Sequence, residues 1–173
     1  MSSRPGMAIG SREFPVAGDM LTIGAQAPDF KLTANNWSSK SLSDYTGKIK
    51  IFSIVPSLDT SVCSAQTHRF NKEATSLGDN IVVLTVSADL PYAQSRWCGA
   101  EGVDRVETLS DHKAMSFSTD YGVHVADLRI CQRAAFVLDQ NNVVQYAEYV
   151  PEIGSEVNFD AVLSKAKSLV VSE

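Results

Sequence analysis

The chain has 173 residues, 44% hydrophobic and 20% charged, a balance that suits one packed domain over 1–173 and argues against disorder. A net charge of −5 argues against nucleic acid and anionic membranes as partners. No run nears the roughly 20 apolar residues of a membrane helix, "MSSRPGMAIG" lacks the apolar segment of a signal peptide, and three cysteines are too few for a disulfide scaffold, so a cytoplasmic protein is expected.

Residues 1–20 read as a small extension, with "REFPV" and "DMLTI" forming a hairpin that turns at Ala17-Gly18-Asp19. "DFKLTAN" suits a short strand, and "SLSDYTGK" a helical turn closed by Gly47. "KIKIFSIV" is a strand that stops at Pro56, which has no ladder donor. Over 61–77, Val62, Ala65, Phe70, Ala74 and Leu77 recur at helical spacing, with Asp59 or Thr60 as N-cap. "NIVVLTVSAD" is a continuous apolar run, as for a strand covered on both faces. Pro91 and Gly99 bracket another helix. A short one is expected over 110–122, capped by Ser110 or Asp111. Residues 133–150 read as a hairpin around Asp139–Asn142. A last amphipathic helix buries Phe159, Val162, Leu163, Ala166, Leu169 and Val170. The β-α-β unit requires a parallel pair and the closing hairpin an antiparallel one, so the expected fold is α/β and thioredoxin-like. It has a central mixed sheet flanked by helices, with the N-terminal hairpin as an extension.

Chemistry centres on "PSLDTSVC", 56–63. With Thr60 as cap, Cys63 falls in the first turn of its helix, where free N–H groups and the helix dipole favour a thiolate. Lowering any cysteine by two to three units takes about 3–4 kcal/mol, and a helix end gives ~2 at best. A second positive group is required, and spacing alone does not choose among the arginines. On these residues an inert buried cysteine stays open beside a reactive thiolate.

"PSLDTSVC" resembles the P-x-x-x-T-x-x-C signature of peroxiredoxins at Pro56, Thr60 and Cys63. Taken with "VSADLPYAQSRWCGAEG" and "RAAFVLDQNNVVQYAEYV", it resembles the bacterial thiol peroxidase family, the atypical two-cysteine branch, over about 9–169. The resemblance implies that Cys63 is the peroxidatic cysteine, attacking hydrogen peroxide or an alkyl hydroperoxide to give a sulfenic acid. Thr60 would place its hydroxyl against the reacting atoms, Pro56 would shape the pocket, and Arg133 would supply the positive charge. Cys98 would be the resolving cysteine, closing an intramolecular disulfide after local unwinding of its helix. Thioredoxin as reductant and a homodimer are likewise implied by the family, without cofactor or metal. Apolar Val62, Leu90 and Tyr92 would tolerate an alkyl hydroperoxide.

Cys131 has no family role and reads as structural, although its i, i+2 relation to Arg133 would put it on the active-site face of a continuous strand. A cysteine hydrolase needs a positioned histidine, and His68 falls on the polar, solvated face of its helix, with nothing to bring His112 or His124 to Cys63. No C-x-x-C or H-x-x-x-H spacing exists for a metal or a thioredoxin-type dithiol. The stronger rival is a peroxide-sensing redox relay that shares the Cys63 chemistry without significant turnover.

Overall fold

In the computed structural model, which describes residues 3–170, the chain opens with β1 (Ser3–Ile9) and β2 (Arg12–Ala17), paired antiparallel. The expected hairpin exists, but its turn is Gly10-Ser11, and "REFPV" lies in its second strand. Gly10 takes the positive φ of +61° that such a tight turn needs, while "DMLTI" forms no strand.

β3 (Leu32–Ala34) and β4 (Ser39–Lys40) lead through a 3-10 turn over Leu42–Tyr45 into β5 (Ile49–Ile54). Then come α1 (Ser61–Ala74), β6 (Ile81–Ser87), α2 (Pro91–Glu101) and β7 (Glu107–Ser110). After these follow α3 (Ser116–Asp120), β8 (His124–Val125), β9 (Ile130–Cys131), β10 (Ala134–Leu138), β11 (Val144–Tyr149) and α4 (Phe159–Ser168). The central sheet has the order β11-β10-β5-β6-β7-β3-β4, with β5, β6 and β7 parallel and the flanking pairs antiparallel. This is the mixed sheet expected. β7 is an addition to it, since "ETLS" is too short and too polar to stand out as a strand. A second sheet, β1-β2-β8-β9, holds the hairpin against the body.

Strand alternation sorts the interior into two cores. Ile49, Ile51, Val83, Ala135 and Val137 face α1, α2 and α4, while Phe52, Ile54, Leu84 and Phe136 face α3 and the 3-10 turn.

Three helices depart from expectation. α1 buries Cys63, Gln66, Thr67 and Phe70, leaving Ala65 exposed and Val62 half-buried. Its inward stripe is partly polar because those groups have partners: Gln66 donates to Ser53 Oγ at 2.8 Å, and Thr67 to the Cys63 carbonyl at 2.9 Å. α2 runs through Gly99 and ends at Gly102, whose left-handed φ of +68° closes the helix with its N–H on the Cys98 carbonyl. α3 starts only at Ser116, five or six residues after the expected cap at Asp111 or Ser110. Asp111 still satisfies that helix end, accepting from the N–H groups of Phe117 and Ser118.

Candidate active site

β5 stops at Ile54, and Pro56, buried and without an N–H, carries the chain off the sheet into the loop that precedes α1. Asp89, just beyond β6, fixes that loop by accepting from Ser57 Oγ at 2.8 Å and from Leu58 N–H at 2.9 Å. Thr60 is the N-cap: its hydroxyl accepts from Cys63 N–H at 3.3 Å and donates to the Ser57 carbonyl at 3.3 Å. Cys63 is the third residue of α1 and is 0% exposed.

Arg133 reaches this cysteine across 70 positions of sequence because β10 pairs antiparallel with β5, Ala134 opposite Ile54. One residue before that pair, the side chain takes the α1 face of the sheet by strand parity. The guanidinium is 1% exposed. It donates from Nη2 to Cys63 Sγ at 3.2 Å and to the Ile153 carbonyl at 2.8 Å, and from Nη1 to Gln66 Oε1 at 3.0 Å. An opposite charge about 4 Å away is worth on the order of 4 kcal/mol before desolvation at an effective dielectric near 20, against ~2 at best for a helix end. By this general scale a guanidinium in contact is a larger influence than a helix end, and Arg133 is the arginine that the fold brings to Cys63.

Cys98 lies inside α2, at the lip of a cleft of about 450 Å³ shared with Asn35, Lys40, Val106 and Thr108. Its sulfur is 3.8 Å from Thr108 Oγ1, and burial pushes the thiol up, with the Thr108 contact partly offsetting it. All three cysteines are free thiols.

Cys131 is not on the Cys63 face. It packs in the opposite core, 3.3 Å from Ser118 Oγ. The i, i+2 rule fails because β9 ends at Cys131 and β10 begins at Ala134, so Gln132 and Arg133 cross between two sheets. His68 lies on the exposed face of α1, its side chain 42% exposed, as expected; there its Nε2 is 3.2 Å from Glu101 Oε2 and its ring 5.4 Å from that of Trp97.

Three contributors escaped sequence reading. Gln66 stands three positions after Cys63 and so shares its helix face, a readable sign. Asp89 lies in the quoted "VSADLPYAQ" but its partners are far along the chain. The Ile153 carbonyl carries no sequence signal at all.

Residues 22–163 match the model of the Redoxin family. The thiol peroxidase of Bacillus subtilis is 52% identical over 155 residues, 90% of this chain and 92% of that protein. That of Oceanobacillus iheyensis is 54% identical over 142 residues, 82% and 86% of the two chains. Among solved structures, a peroxiredoxin-like protein from Aquifex aeolicus superposes with a TM-score of 0.89 at 30% identity, over 98% of this chain and 100% of its own. The thioredoxin-like α/β fold is thereby confirmed. The chain belongs to the Redoxin family, in the thiol peroxidase branch of the peroxiredoxins.

Proposed function

We propose that Cys63 reduces hydrogen peroxide and organic hydroperoxides in a two-cysteine cycle completed by Cys98. The observation that carries this reading is the buried Arg133 guanidinium donating to Cys63 Sγ at 3.2 Å. The Cys63 thiolate attacks the terminal peroxide oxygen, an S–O bond forms as O–O breaks, and the hydroxide or alkoxide leaves as water or alcohol after taking a proton. Arg133 supports the developing negative charge from a fixed position, with no reorganisation during the step. Thr60 holds the first turn of α1, and Pro56 helps keep the pocket dry. The Cys98 thiolate then attacks the sulfenic sulfur, closing S–S and expelling water.

Cys98 sits within a capped helix and its thiol is raised by burial, which supports a resolving step that waits for α2 to unwind. Thioredoxin would return the two electrons by thiol–disulfide exchange. Exposed Leu90 and Tyr92, with Trp37 5.1 Å from the Tyr92 ring, form an apolar shelf suited to an alkyl substrate or to the partner in a homodimer. A cytoplasmic, single-domain enzyme fits this chemistry.

A free-thiol count before and after one equivalent of hydrogen peroxide, with a non-reducing peptide map, tests the cycle. The expected result is a fall from three thiols to one, with Cys63 joined to Cys98. Survival of all three would sink it. Oxidation that stops after one equivalent in the presence of a thioredoxin system would favour the relay.

A further inference from the structure

Arg133 is aimed in part by a carbonyl, and the residue that owns it is held by the N-terminal hairpin. In a hairpin with a two-residue turn, ladder bonds alternate along the strands. Ile9 pairs with Arg12 next to the turn, so Ala8, one step on, directs its N–H and C=O away from β2. Both are used. Ala8 N–H donates to the Pro151 carbonyl at 2.7 Å, and the Ala8 carbonyl accepts from Ile153 N–H at 3.0 Å, a parallel bridge centred on Glu152. The Ile153 side chain packs on Met7, Phe14, Val16 and Val125, the hairpin's own core. Ile153 is thus tied to the hairpin by backbone and by side chain.

Its carbonyl accepts from the same Arg133 Nη2 that donates to Cys63 Sγ. Among the described residues, apart from the sulfur, the guanidinium has only Gln66 Oε1 and this carbonyl as partners, and its Nε is buried with none. A planar fork is oriented by the acceptors its several N–H groups meet at once, so losing one of these two oxygens loosens it.

We propose that the N-terminal hairpin is part of the peroxide site: through Ala8 and Ile153, which act as positioning residues, it holds the Arg133 guanidinium against Cys63. The inference rests on Cys63 and Arg133 being the peroxide centre, so Arg133→Ala is measured alongside. Ile153→Ala removes the side-chain anchor of a half-buried residue, and Ala8→Pro removes the bridging N–H at a sheet edge, where proline is tolerated.

The readout is the single-turnover rate of Cys63 oxidation by hydrogen peroxide in the full chain, with circular dichroism to confirm folding. Both variants are expected to slow oxidation by about 10- to 100-fold, the cost of a small misplacement. Ile153→Val, which refills the same niche, should return the rate to within about twofold. If folded Ile153→Ala oxidises at the wild-type rate while Arg133→Ala is slow, the hairpin merely covers a sheet edge and the inference is wrong. Should Ala8→Pro not fold, Ile153→Ala and its valine rescue decide alone. If Arg133→Ala itself keeps the wild-type rate, the peroxide centre has been misassigned and the inference falls with it.

Discussion

Cys63 and Cys131 are both 0% exposed, yet they occupy opposite chemical settings. Cys63 has an arginine guanidinium 3.2 Å from its sulfur. Cys131 has the Ser118 hydroxyl at 3.3 Å, and that hydroxyl donates to the carboxylate of Asp111. Burial pushes the Cys131 thiol up to about 12; the Ser118 contact offsets this in part, and Asp111 and Asp89 add to it. Burial alone yields an inert thiol. What separates the proposed peroxidatic cysteine from a packing cysteine is the sign of the nearest charge, and the sheet decides that sign by sending the two side chains to different cores.

The contrast breaks most directly at the two sulfurs. Cys63→Ser should lower peroxide consumption by at least about 10³-fold, the scale of losing a nucleophile. Cys131→Ser should leave turnover within about twofold, because a fully buried neutral thiol takes no part. Equal losses in the two variants would mean that both thiols serve the reaction. Next comes the charge. Arg133→Met should slow Cys63 oxidation by about 10²-fold, as when a donor to developing charge is removed. Lysine at the same position should recover only part of the rate, since it cannot fork between Gln66, Ile153 and the sulfur.

Alkaline stability sharpens the other half of the comparison. The native Cys131 thiol keeps its proton up to about pH 12, whereas an unfolded cysteine releases it near 8.5. The native state therefore binds more protons over that window. The stability Cys131 contributes is whole below pH 8.5 and lost as pH rises towards 12, with a ceiling on the order of 5 kcal/mol. Urea melts at pH 7.5 and pH 11 should show a smaller alkaline loss in Cys131→Ala than in the wild type; an identical loss would remove Cys131 as the cause.

The smallest expected effect concerns Cys98. Among the described residues nothing beyond the chain neighbours would crowd a Cβ at Gly102, so Gly102→Ala strains only its left-handed φ, by about 1 kcal/mol. Its N–H closes α2 on the Cys98 carbonyl, so the variant should fray that turn and speed disulfide closure by about fivefold or less. Rapid-quench mass spectrometry of the oxidised chain reads this, and an unchanged closure rate would argue that α2 need not unwind.

Much of the site was legible because the first turn of a helix is a local object. A cap at Asp59 or Thr60, the strand stop at Pro56 and the placing of Cys63 in the first turn follow from residues within eight positions of one another, and the structure chooses Thr60 as the cap. The face of α1 was misread because apolar spacing assumes an apolar interior. Gln66 and Thr67 turn inward only because Ser53, Arg133 and the helix backbone receive them. The N-terminal turn was misplaced because Ala17-Gly18-Asp19 and Gly10-Ser11 both offer turn residues, and only strand register chooses between them.

By itself the sequence determined the mixed α/β order, the β-rich run ending at Pro56, the capped helix carrying Cys63 and the closing hairpin, since each rests on local periodicity or on a residue with one permitted backbone use. Spacing did not choose among the arginines and only the family resemblance pointed to Arg133; tertiary structure decided how that guanidinium reaches the thiol, which core receives each buried cysteine, and which carbonyl meets the guanidinium. Those outcomes depend on strand register across 70 positions and on a backbone atom every residue possesses, and no pattern of side chains along the chain encodes either.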